Sequence, residues 1–297
     1  MKKVYVRLLS NSMGDTIAST PYVLEYAKKH NVKVFFCVYD PYIFLLNTSY
    51  REIEFVGRNI NVEYDEKIDL DYIFSKSVQG GYAEQLGFET PPYIRPVISI
   101  PEMPRPIKNK YVTLGVHSTC QLKYWNHPDG LRSQKDALNW NDLSSSLRKR
   151  GYTPVTVEKE EKFGTPPFFN GVPSRSNKQI GKSLQEAVNI INHSEFYVGL
   201  SSGMSWVAHA LGKKVVMISN FTEDWNEFDL NLDDYIRVTN KSVCHGCWNK
   251  INTDHSFDSS DWYWCPNHKN TERQFECHKS ISVDDVIEKI ERWIPRI

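Results

Sequence analysis

The fold is decided by residues 195–220, which read Glu-Phe-Tyr-Val-Gly-Leu-Ser-Ser-Gly-Met-Ser-Trp-Val-Ala-His-Ala-Leu-Gly-Lys-Lys-Val-Val-Met-Ile-Ser-Asn. The spacing of apolar residues predicts a buried strand at 196–198, a helix at 204–211 and a returning strand at 215–218. Small residues at 201–203 precede the helix, where free backbone N–H groups can bind an anion such as a phosphate. The same pattern also suits an ordinary capped helix, since Ser-Ser-Gly is neither a Walker loop nor a dinucleotide-binding fingerprint.

Strand and helix patterns alternate along the rest of the chain, which favours a parallel α/β fold. Further strands are predicted at 4–9, 32–38, 53–56, 62–64, 111–116, 153–157 and 235–239. Further helices are predicted at 17–30, 140–150, 184–191 and 283–294, together with helical pieces over 69–88 that Gly80-Gly81 would break. The polar residues 162–178, interrupted by glycine and proline, are typical of a surface loop.

A proline-rich stretch divides the chain. Residues 91–109 contain six prolines, at 91, 92, 96, 101, 104 and 106. Such a stretch cannot be helical and forms a stiff, extended connection. We therefore expect an N-terminal α/β domain at 1–105 and a C-terminal α/β domain at 106–297, facing each other across a cleft. Because parallel sheets bind ligands at the carboxyl ends of their strands, three loops are expected to meet in that cleft: 10–16, 117–123 and 200–205.

Composition limits the classes of function. The 297 residues include 40% hydrophobic and 13% aromatic residues, as in a packed globular protein. Lysine plus arginine and aspartate plus glutamate both number 36, so the net charge of +0 gives no global footprint for nucleic-acid binding, although a local basic groove is compatible with it. No apolar run is long enough to cross a bilayer, and the N-terminus lacks the apolar core of a signal peptide. We expect a cytoplasmic protein, in which six cysteines indicate metal or structural roles more often than disulfides.

Two loop residues could carry chemistry. Asp15 follows the first strand at the start of a helix, where an aspartate commonly complements the helix dipole; if it faces the cleft, it could instead accept a proton from an attacking hydroxyl. Lys123 follows the first strand of the second half. It is either a solvated surface lysine or an ammonium that binds a diphosphate, with the Ser118 and Thr119 hydroxyls as further donors. In the second case, Lys123 and the helix start at 202–205 could stabilise leaving-group charge without a metal.

A cysteine-bearing insert at residues 243–280 predicts a metal site. Cys244 and Cys247 form a Cys-x-x-Cys pair, and Cys265 and Cys277 follow further along the chain. Two close and two distant thiolates suit a tetrahedral site for zinc or iron, and no coordination position is open, so we expect a structural metal. Buried free cysteines or disulfides are the alternative interpretation. One thiolate could also be replaced as a ligand by a histidine of the insert: His245, His255, His268 or His278.

Taken in this order, these groups resemble the bacterial autotransporter heptosyltransferases, relatives of the lipopolysaccharide heptosyltransferases with the two-domain GT-B architecture. The resemblance runs over most of the chain. It is carried by Gly14-Asp15 with Thr20-Pro21, by Ser118 to Asn126, by Gly199 to Trp206, and by the insert. The insert is the most specific part, since Cys244-His-Gly-Cys247, Asp261 to Pro266 and Phe275 to Ser280 look like that family's iron-binding finger.

The resemblance implies an enzyme that moves a sugar from a nucleotide-sugar donor, ADP-heptose in that family, to a hydroxyl of a macromolecular acceptor. Asp15 takes the place of the general base, and Lys123 that of the lysine that binds the diphosphate. The other donor-binding positions are Ser118, Thr119, Ser201, Ser202, Gly203, Met204 and Ser205. The four insert cysteines match the metal ligands, which suggests iron rather than zinc. Glu158 or Glu160 would contact the donor ribose. In-line attack assisted by one base predicts inversion at the anomeric carbon.

Departures from the family leave other functions open. Ser201 stands where the lipopolysaccharide relatives carry an aspartate, and the first strand begins near residue 2, whereas the autotransporter enzymes usually have an extra N-terminal domain. One alternative to a protein Ser/Thr acceptor is a bacteriophage-type enzyme, acting in the host cytoplasm, that moves a pentose or hexose from a UDP-sugar to hydroxymethylated DNA bases. It would need a basic groove beside Asp15, with candidates Arg7, Lys76, Arg95 and Arg105. A non-catalytic, metal-stapled binding module is the third hypothesis. The departures also leave open whether the chain forms the family's large assemblies, and a homo-oligomer stays a hypothesis.

Overall fold

A computed structural model describes residues 1–46, 50–89, 91–118, 125, 137–165, 168–261 and 263–294. Two separate sheets, in which every neighbouring pair of strands is parallel, form the framework. The expectation of a parallel α/β fold is therefore confirmed. Within these ranges, no helix has the length and apolar character needed to cross a membrane.

The N-terminal half is built on a four-stranded sheet with the order β3-β2-β1-β4. Its strands are β1 (Lys3–Leu8), β2 (Lys33–Cys37), β3 (Ile53–Val56) and β4 (Glu66–Leu70), and its helices are α1 (Met13–His30) and α2 (Val78–Gln85). A 3-10 helix covers Asp40–Leu46. β1 lies in the middle of the sheet, so the chain leaves its carboxyl end directly into α1.

The C-terminal half is built on a six-stranded sheet with the order β12-β11-β10-β5-β6-β9. Its strands are β5 (Tyr111–Gly115), β6 (Thr153–Glu158), β9 (Asn177–Ile180), β10 (Phe196–Leu200), β11 (Lys214–Ile218) and β12 (Tyr235–Val238). An antiparallel hairpin of β7 (Lys162–Thr165) and β8 (Phe168–Gly171) stands apart from it. The helices are α3 (Leu138–Lys149), α4 (Leu184–Asn192), α5 (Gly203–Ala210), α6 (Glu276–Lys279) and α7 (Val283–Ile290).

The two halves share one hydrophobic core. Ile17 and Val23 on α1 belong to the same buried cluster as Val207 and Ala208 on α5. The connecting segment adds polar contacts, since the Arg95 guanidinium donates two hydrogen bonds of 2.5 and 2.6 Å to the Asp234 carboxylate. The described residues 91–110 contain neither helix nor strand, as the prolines predict. This packing places the carboxyl ends of β1 and β10 next to each other.

Three local predictions in the N-terminal half are wrong. Helix α1 begins at Met13 rather than 17, because Ser12 caps it by accepting a hydrogen bond from the Asp15 N–H at 3.4 Å. The strand predicted at 62–64 is absent, and β4 pairs with β1 instead; it is an edge strand with alternating exposed residues, so it carries little apolar signal. Gly80 and Gly81 lie inside α2 rather than breaking it, since Ser77 caps that helix through the Gly80 N–H at 3.0 Å.

The segment 162–178 was also predicted incorrectly as a surface loop. It contains β7 and β8, and its last residues begin β9, which extends the sheet beside β6. Pairing with a distant strand fixes β9, and neither the composition of the segment nor its periodicity reveals such a partner.

Candidate active-site cleft

The starts of α1 and α5 lie against each other where the two halves meet. A Cβ atom built on Gly14 would lie 2.9 Å from Cδ1 of Trp206, and one on Gly203 would lie 2.9 Å from the terminal methyl group of Met13. Both distances are shorter than ordinary van der Waals contact, so a side chain at Gly14 would displace the Trp206 indole and one at Gly203 would displace the Met13 side chain. The Cα of Gly14 faces the indole of Trp206, and Gly14 also lines one of the cavities described next.

Two cavities open on either side of this contact. The Asp15 pocket has a volume of about 300 Å³ and the Glu158 pocket about 380 Å³. Ser12, Ser202 and Gly203 line both of them. The loops at 10–16 and 200–205 therefore meet as predicted, and Ser118, from the third loop, lines the Glu158 pocket. Thr119 and Lys123 lie outside the described residues.

The Asp15 pocket holds a half-buried carboxylate among hydroxyl-bearing and aromatic side chains. Oδ2 of Asp15 accepts a hydrogen bond of 2.5 Å from the Ser10 hydroxyl. Burial, and secondly the negative charge of Asp15, raise the pKa of both Tyr72 and Tyr82 above the usual value for tyrosine. These phenols therefore stay protonated around the carboxylate. Asp15 lies in the first turn of α1 and also lines a cavity, so the helix-dipole role and the role as a base are compatible.

Side-chain hydrogen bonds hold the backbone of the loop that precedes α5. The Ser118 hydroxyl donates to the Ser201 carbonyl at 3.1 Å, and the fully buried Ser205 accepts from the Ser202 N–H at 3.2 Å. The first turn of an α-helix leaves backbone N–H groups without intrahelical partners. The N–H groups of Gly203 and Met204 belong to that turn, beside both cavities. This arrangement is suited to binding the oxygens of a phosphate.

The Glu158 pocket contains a buried carboxyl group beside a pair of stacked rings. Glu158 Oε1 accepts hydrogen bonds from the backbone N–H groups of Val116 at 2.7 Å and His117 at 2.9 Å. Burial nevertheless raises the pKa of Glu158 to about 7, because the two N–H groups only partly offset the loss of solvent. The ring of His117 stacks on Phe163 of β7, with centroids 5.6 Å apart. A carboxyl group beside flat rings is suited to a ribose and its base.

A buried ion pair at the edge of the Asp15 pocket was missed from the sequence. Glu227 is 3% exposed, and its Oε2 accepts a 2.6 Å hydrogen bond from Arg237 on β12. Burial alone would lower the pKa of Arg237, but the charge and hydrogen bond of Glu227 raise it above the usual value. Glu227 also accepts hydrogen bonds from the hydroxyls of Ser201 and Thr222. The residues around Glu227 give no sequence signal of a buried ion pair. Its partner, Arg237, comes from the separate strand β12.

The insert at 243–280, from here on called the finger, brings its cysteines together as free thiols. The sulfur atoms of Cys244 and Cys247 lie 3.9 Å apart, close to the edge of about 3.8 Å in a tetrahedron of 2.3 Å metal–sulfur bonds. Burial raises the pKa of Cys247 and Cys277, and the neighbouring thiols, Cys265 among them, raise it further. The Asn267 side chain donates to Cys244 Sγ at 3.4 Å. Such N–H contacts to sulfur are typical around thiolate metal sites.

A second donor set overlaps with these thiols. Potential ligand atoms of Cys244, His268 and Glu276 lie within 4.8 Å of one another. Glu276, however, accepts two hydrogen bonds from Arg273, at 2.6 and 2.8 Å, and one of 2.9 Å from the Cys244 N–H. These partners hold the pKa of Glu276 at about 2, with Arg273 as the main cause. Since its oxygens already bind a guanidinium and an amide, Glu276 is suited to orienting Cys244 rather than to ligating a metal.

The four basic residues proposed for a DNA groove are all paired. Each lies beside a carboxylate: Arg7 with Asp69 at 2.7 Å, Lys76 with Glu84 at 3.1 Å, Arg95 with Asp234 at 2.5 Å and Arg105 with Glu195 at 3.9 Å. Among the described residues that line the Asp15 pocket, none is a lysine or an arginine. The four candidate residues therefore do not line the Asp15 pocket, whereas Arg58 lies next to it and donates to the Ser10 carbonyl at 3.0 Å.

Known proteins resemble this chain along its whole length, although no family model matches it. The autotransporter heptosyltransferase TibC of Escherichia coli O78:H11 is 31% identical, over 98% of this chain and 72% of TibC. BimC of Burkholderia thailandensis, described as an inactive autotransporter heptosyltransferase, is 27% identical, over 100% of this chain and 70% of BimC.

Solved structures of heptosyltransferases are also similar to this chain. The iron-containing dodecameric glycosyltransferase TibC from enterotoxigenic E. coli superposes with a TM-score of 0.86 at 29% identity, over 98% of this chain and 80% of that chain. Its complex with ADP-D-beta-D-heptose gives 0.85 at 28% identity, over 99% and 77%. The E. coli ADP-heptose lipopolysaccharide heptosyltransferase II shares the fold, with a TM-score of 0.63 at 11% identity over 99% and 98% of the two chains.

Proposed function

The chain belongs to the autotransporter heptosyltransferase family and is a glycosyltransferase, and we propose that it moves a heptose from ADP-heptose to a serine or threonine hydroxyl of a protein. One observation carries the proposal: the Asp15 pocket and the Glu158 pocket meet at Ser202 and Gly203, at the start of α5. The proposed base, phosphate-binding helix end and nucleoside site thus lie side by side. The solved TibC complex with ADP-D-beta-D-heptose supports the choice of donor.

The donor would bind across the junction of the two cavities. Its ribose would donate hydrogen bonds to Glu158, and its adenine would lie against the rings of His117 and Phe163. The diphosphate would accept hydrogen bonds from the N–H groups of Gly203 and Met204, with Lys123 in the role that the family resemblance gives it. The side chains of Ser118 and Ser205 would hold the backbone of this loop in place through their hydrogen bonds to residues 201 and 202. The sugar would then project towards Asp15.

The reaction follows from this placement. Asp15 takes the proton of the acceptor hydroxyl as its oxygen forms a bond to the anomeric carbon, while the bond from that carbon to the β-phosphate oxygen breaks and ADP leaves. The first-turn N–H groups of α5 stabilise the developing negative charge. Since attack comes from the side opposite the leaving group and no protein nucleophile intervenes, the anomeric configuration inverts. The Ser10 hydrogen bond orients the Asp15 carboxylate in its ground state.

A protein acceptor is favoured over DNA by the charge of the pocket. Binding to DNA needs several cations near the phosphates, whereas the described lining of the Asp15 pocket carries carboxylates and the four basic candidates are paired. The third hypothesis is a non-catalytic module. It is supported by the relative BimC, which is described as inactive. The open cleft with Asp15 in its wall argues against it.

We assign the metal to the finger as a structural group held by Cys244, Cys247, Cys265 and Cys277. When bound, it cross-links these thiolates and stabilises the fold of the finger. The iron reported for TibC makes iron the first candidate. The dodecameric state of TibC likewise supports self-association of this chain, which light scattering would measure. We further propose domains at 1–105 and 106–297 and a cytoplasmic location, where thiols stay reduced.

Replacement of Asp15 by asparagine tests the function. The asparagine preserves shape but cannot accept the proton, so we expect heptose transfer to fall by about 10²- to 10⁴-fold while ADP still binds in a thermal-shift assay. Asp284→Asn is the matched control, because Asp284 lies in the first turn of α7 and is exposed. Retained transfer by the Asp15→Asn variant would exclude this role. Absence of both transfer and ADP binding in the wild type would refute the proposed function as a whole.

A further inference from the structure

The finger reaches across to the N-terminal half of the protein. Trp248 directly follows Cys247, and its indole N–H donates a 2.9 Å hydrogen bond to the Tyr72 hydroxyl. The same indole packs edge-on against Phe74, with ring centroids 5.0 Å apart. The finger is therefore in direct contact with the segment between β4 and α2, far from it in sequence.

A second set of hydrogen bonds fixes this contact. The Asn249 side chain donates to the Phe74 carbonyl at 2.8 Å and to Asn226 Oδ1 at 2.7 Å. The Asn226 carbonyl in turn accepts from the Val78 N–H at 2.8 Å, at the start of α2. Asn249 and Asn226 are almost fully buried. The position of the Trp248 ring is thus set by both halves of the protein.

This contact forms one side of the Asp15 pocket. Trp248, Tyr72 and Phe74 line the cavity together with Asp15 and Trp206. The cavity consequently has an aromatic wall beside the carboxylate. Aromatic side chains offer a large contact area at a low cost in conformational entropy, and they accept apolar groups of a peptide. The described residues that line this cavity include no lysine or arginine, which does not suit a phosphate polymer.

We propose that Trp248 is an acceptor-binding residue, so that the metal-binding finger supplies part of the peptide site as well as stabilising the fold. The acceptor is a protein segment in which apolar atoms beside the target serine or threonine pack on the Trp248 ring. Tyr72 positions that ring through the indole hydrogen bond. This inference rests on the proposed transfer to protein hydroxyls, and it adds the side of the pocket on which the peptide lies.

The test uses the full-length, metal-loaded protein with ADP-heptose on an array of serine- and threonine-containing peptides. We expect Trp248→Leu to raise the KM for the best peptides about tenfold, the range for truncating a buried tryptophan at an interface. The preference for apolar residues beside the target hydroxyl should weaken at the same time. The metal content and the Kd for ADP should stay as in the wild type. Trp293→Leu is the control, because Trp293 packs against the core beneath α7.

Tyr72→Phe tests the hydrogen bond that holds the Trp248 ring while it keeps the aromatic ring of residue 72 in the wall. It removes the acceptor of the indole hydrogen bond without altering the finger, so a smaller rise in the same peptide KM is expected. An unchanged peptide KM and preference in Trp248→Leu, with a wild type that transfers normally, would overturn the inference alone. The same holds if the KM rises only in proportion to metal loss. Transfer by the wild type to duplexes with hydroxymethylated bases, and not to peptides, would overturn the proposed acceptor as well.

Discussion

Glu158 makes the stability of this protein depend on pH in a defined window. Its folded-state pKa is about 7, against 4.5 in an unfolded chain, because burial disfavours the carboxylate. Between these two values the unfolded state loses its proton first, so the free energy of unfolding falls as the pH rises from 4.5 to 7 and then levels off. Glu158→Gln removes this titration while keeping an oxygen that can accept from the Val116 and His117 N–H groups.

The magnitude follows from the shift. One pKa unit corresponds to about 1.4 kcal/mol, so the whole shift amounts to about 3 kcal/mol, most of which falls between about pH 5 and pH 8. Wild type should therefore lose roughly 2 to 3 kcal/mol relative to Glu158→Gln across that interval. The loss has the opposite sign to that of a salt-bridged carboxylate. The His117 ring nitrogen Nδ1 lies 3.5 Å from Glu158 Oε2 and belongs to the same buried group.

Urea unfolding of both proteins at the two pH values measures this difference. Metal binding by thiolates is itself pH-dependent, so the relevant quantity is the difference between wild type and variant at each pH. Glu160→Gln is the control; Glu160 lines the same pocket but is exposed, and its substitution should leave the pH profile of wild type unchanged. A difference between wild type and Glu158→Gln that stays constant with pH would refute the assignment of a buried, proton-retaining carboxyl group.

Two further predictions concern the junction of the halves and the finger. Gly14→Ala places a methyl group 2.9 Å from the indole of Trp206 and should destabilise the protein by about 1 to 3 kcal/mol; adding Trp206→Phe should recover part of this loss in thermal unfolding, and strictly additive effects would contradict the contact. Cys247→Ser should lose the metal in elemental analysis and destabilise the finger, whereas His268→Ala should retain it. Unchanged metal content in Cys247→Ser would exclude the four-cysteine site, and metal loss in His268→Ala would favour the overlapping donor set.

The alternation of elements was predictable because it depends on local periodicity. The strands around 33–37 and 196–200 are short apolar runs, and α5 has apolar residues at helical spacing. One error arose where a distant partner decides, since strand β9 exists because β6 lies beside it. The early start of α1 is a different case, because its cap, the Ser12 side chain, accepts from the Asp15 N–H only three residues away. Periodicity of apolar residues does not register such a cap.

Some residues of the candidate site were also predictable from the sequence, and others were not. Asp15, the 201–203 loop and the four finger cysteines were marked by residue type, spacing and family resemblance, since each forms a compact local pattern. The Glu227–Arg237 pair and the contact of Trp248 with Tyr72 were not, because their members come from separate elements. The stacking of His117 on Phe163 likewise needs the β7 hairpin, which was predicted incorrectly as a loop.

The sequence by itself determined the parallel α/β class, the thiol set of the finger and the family, because these depend on patterns within short segments. Only the tertiary structure decided which carboxyl group loses solvent and which side of the Asp15 pocket is aromatic. The physical reason is that desolvation, close packing and hydrogen bonding depend on distances between groups remote in the chain. The pKa of Glu158 and the position of Trp248 are set by such distances.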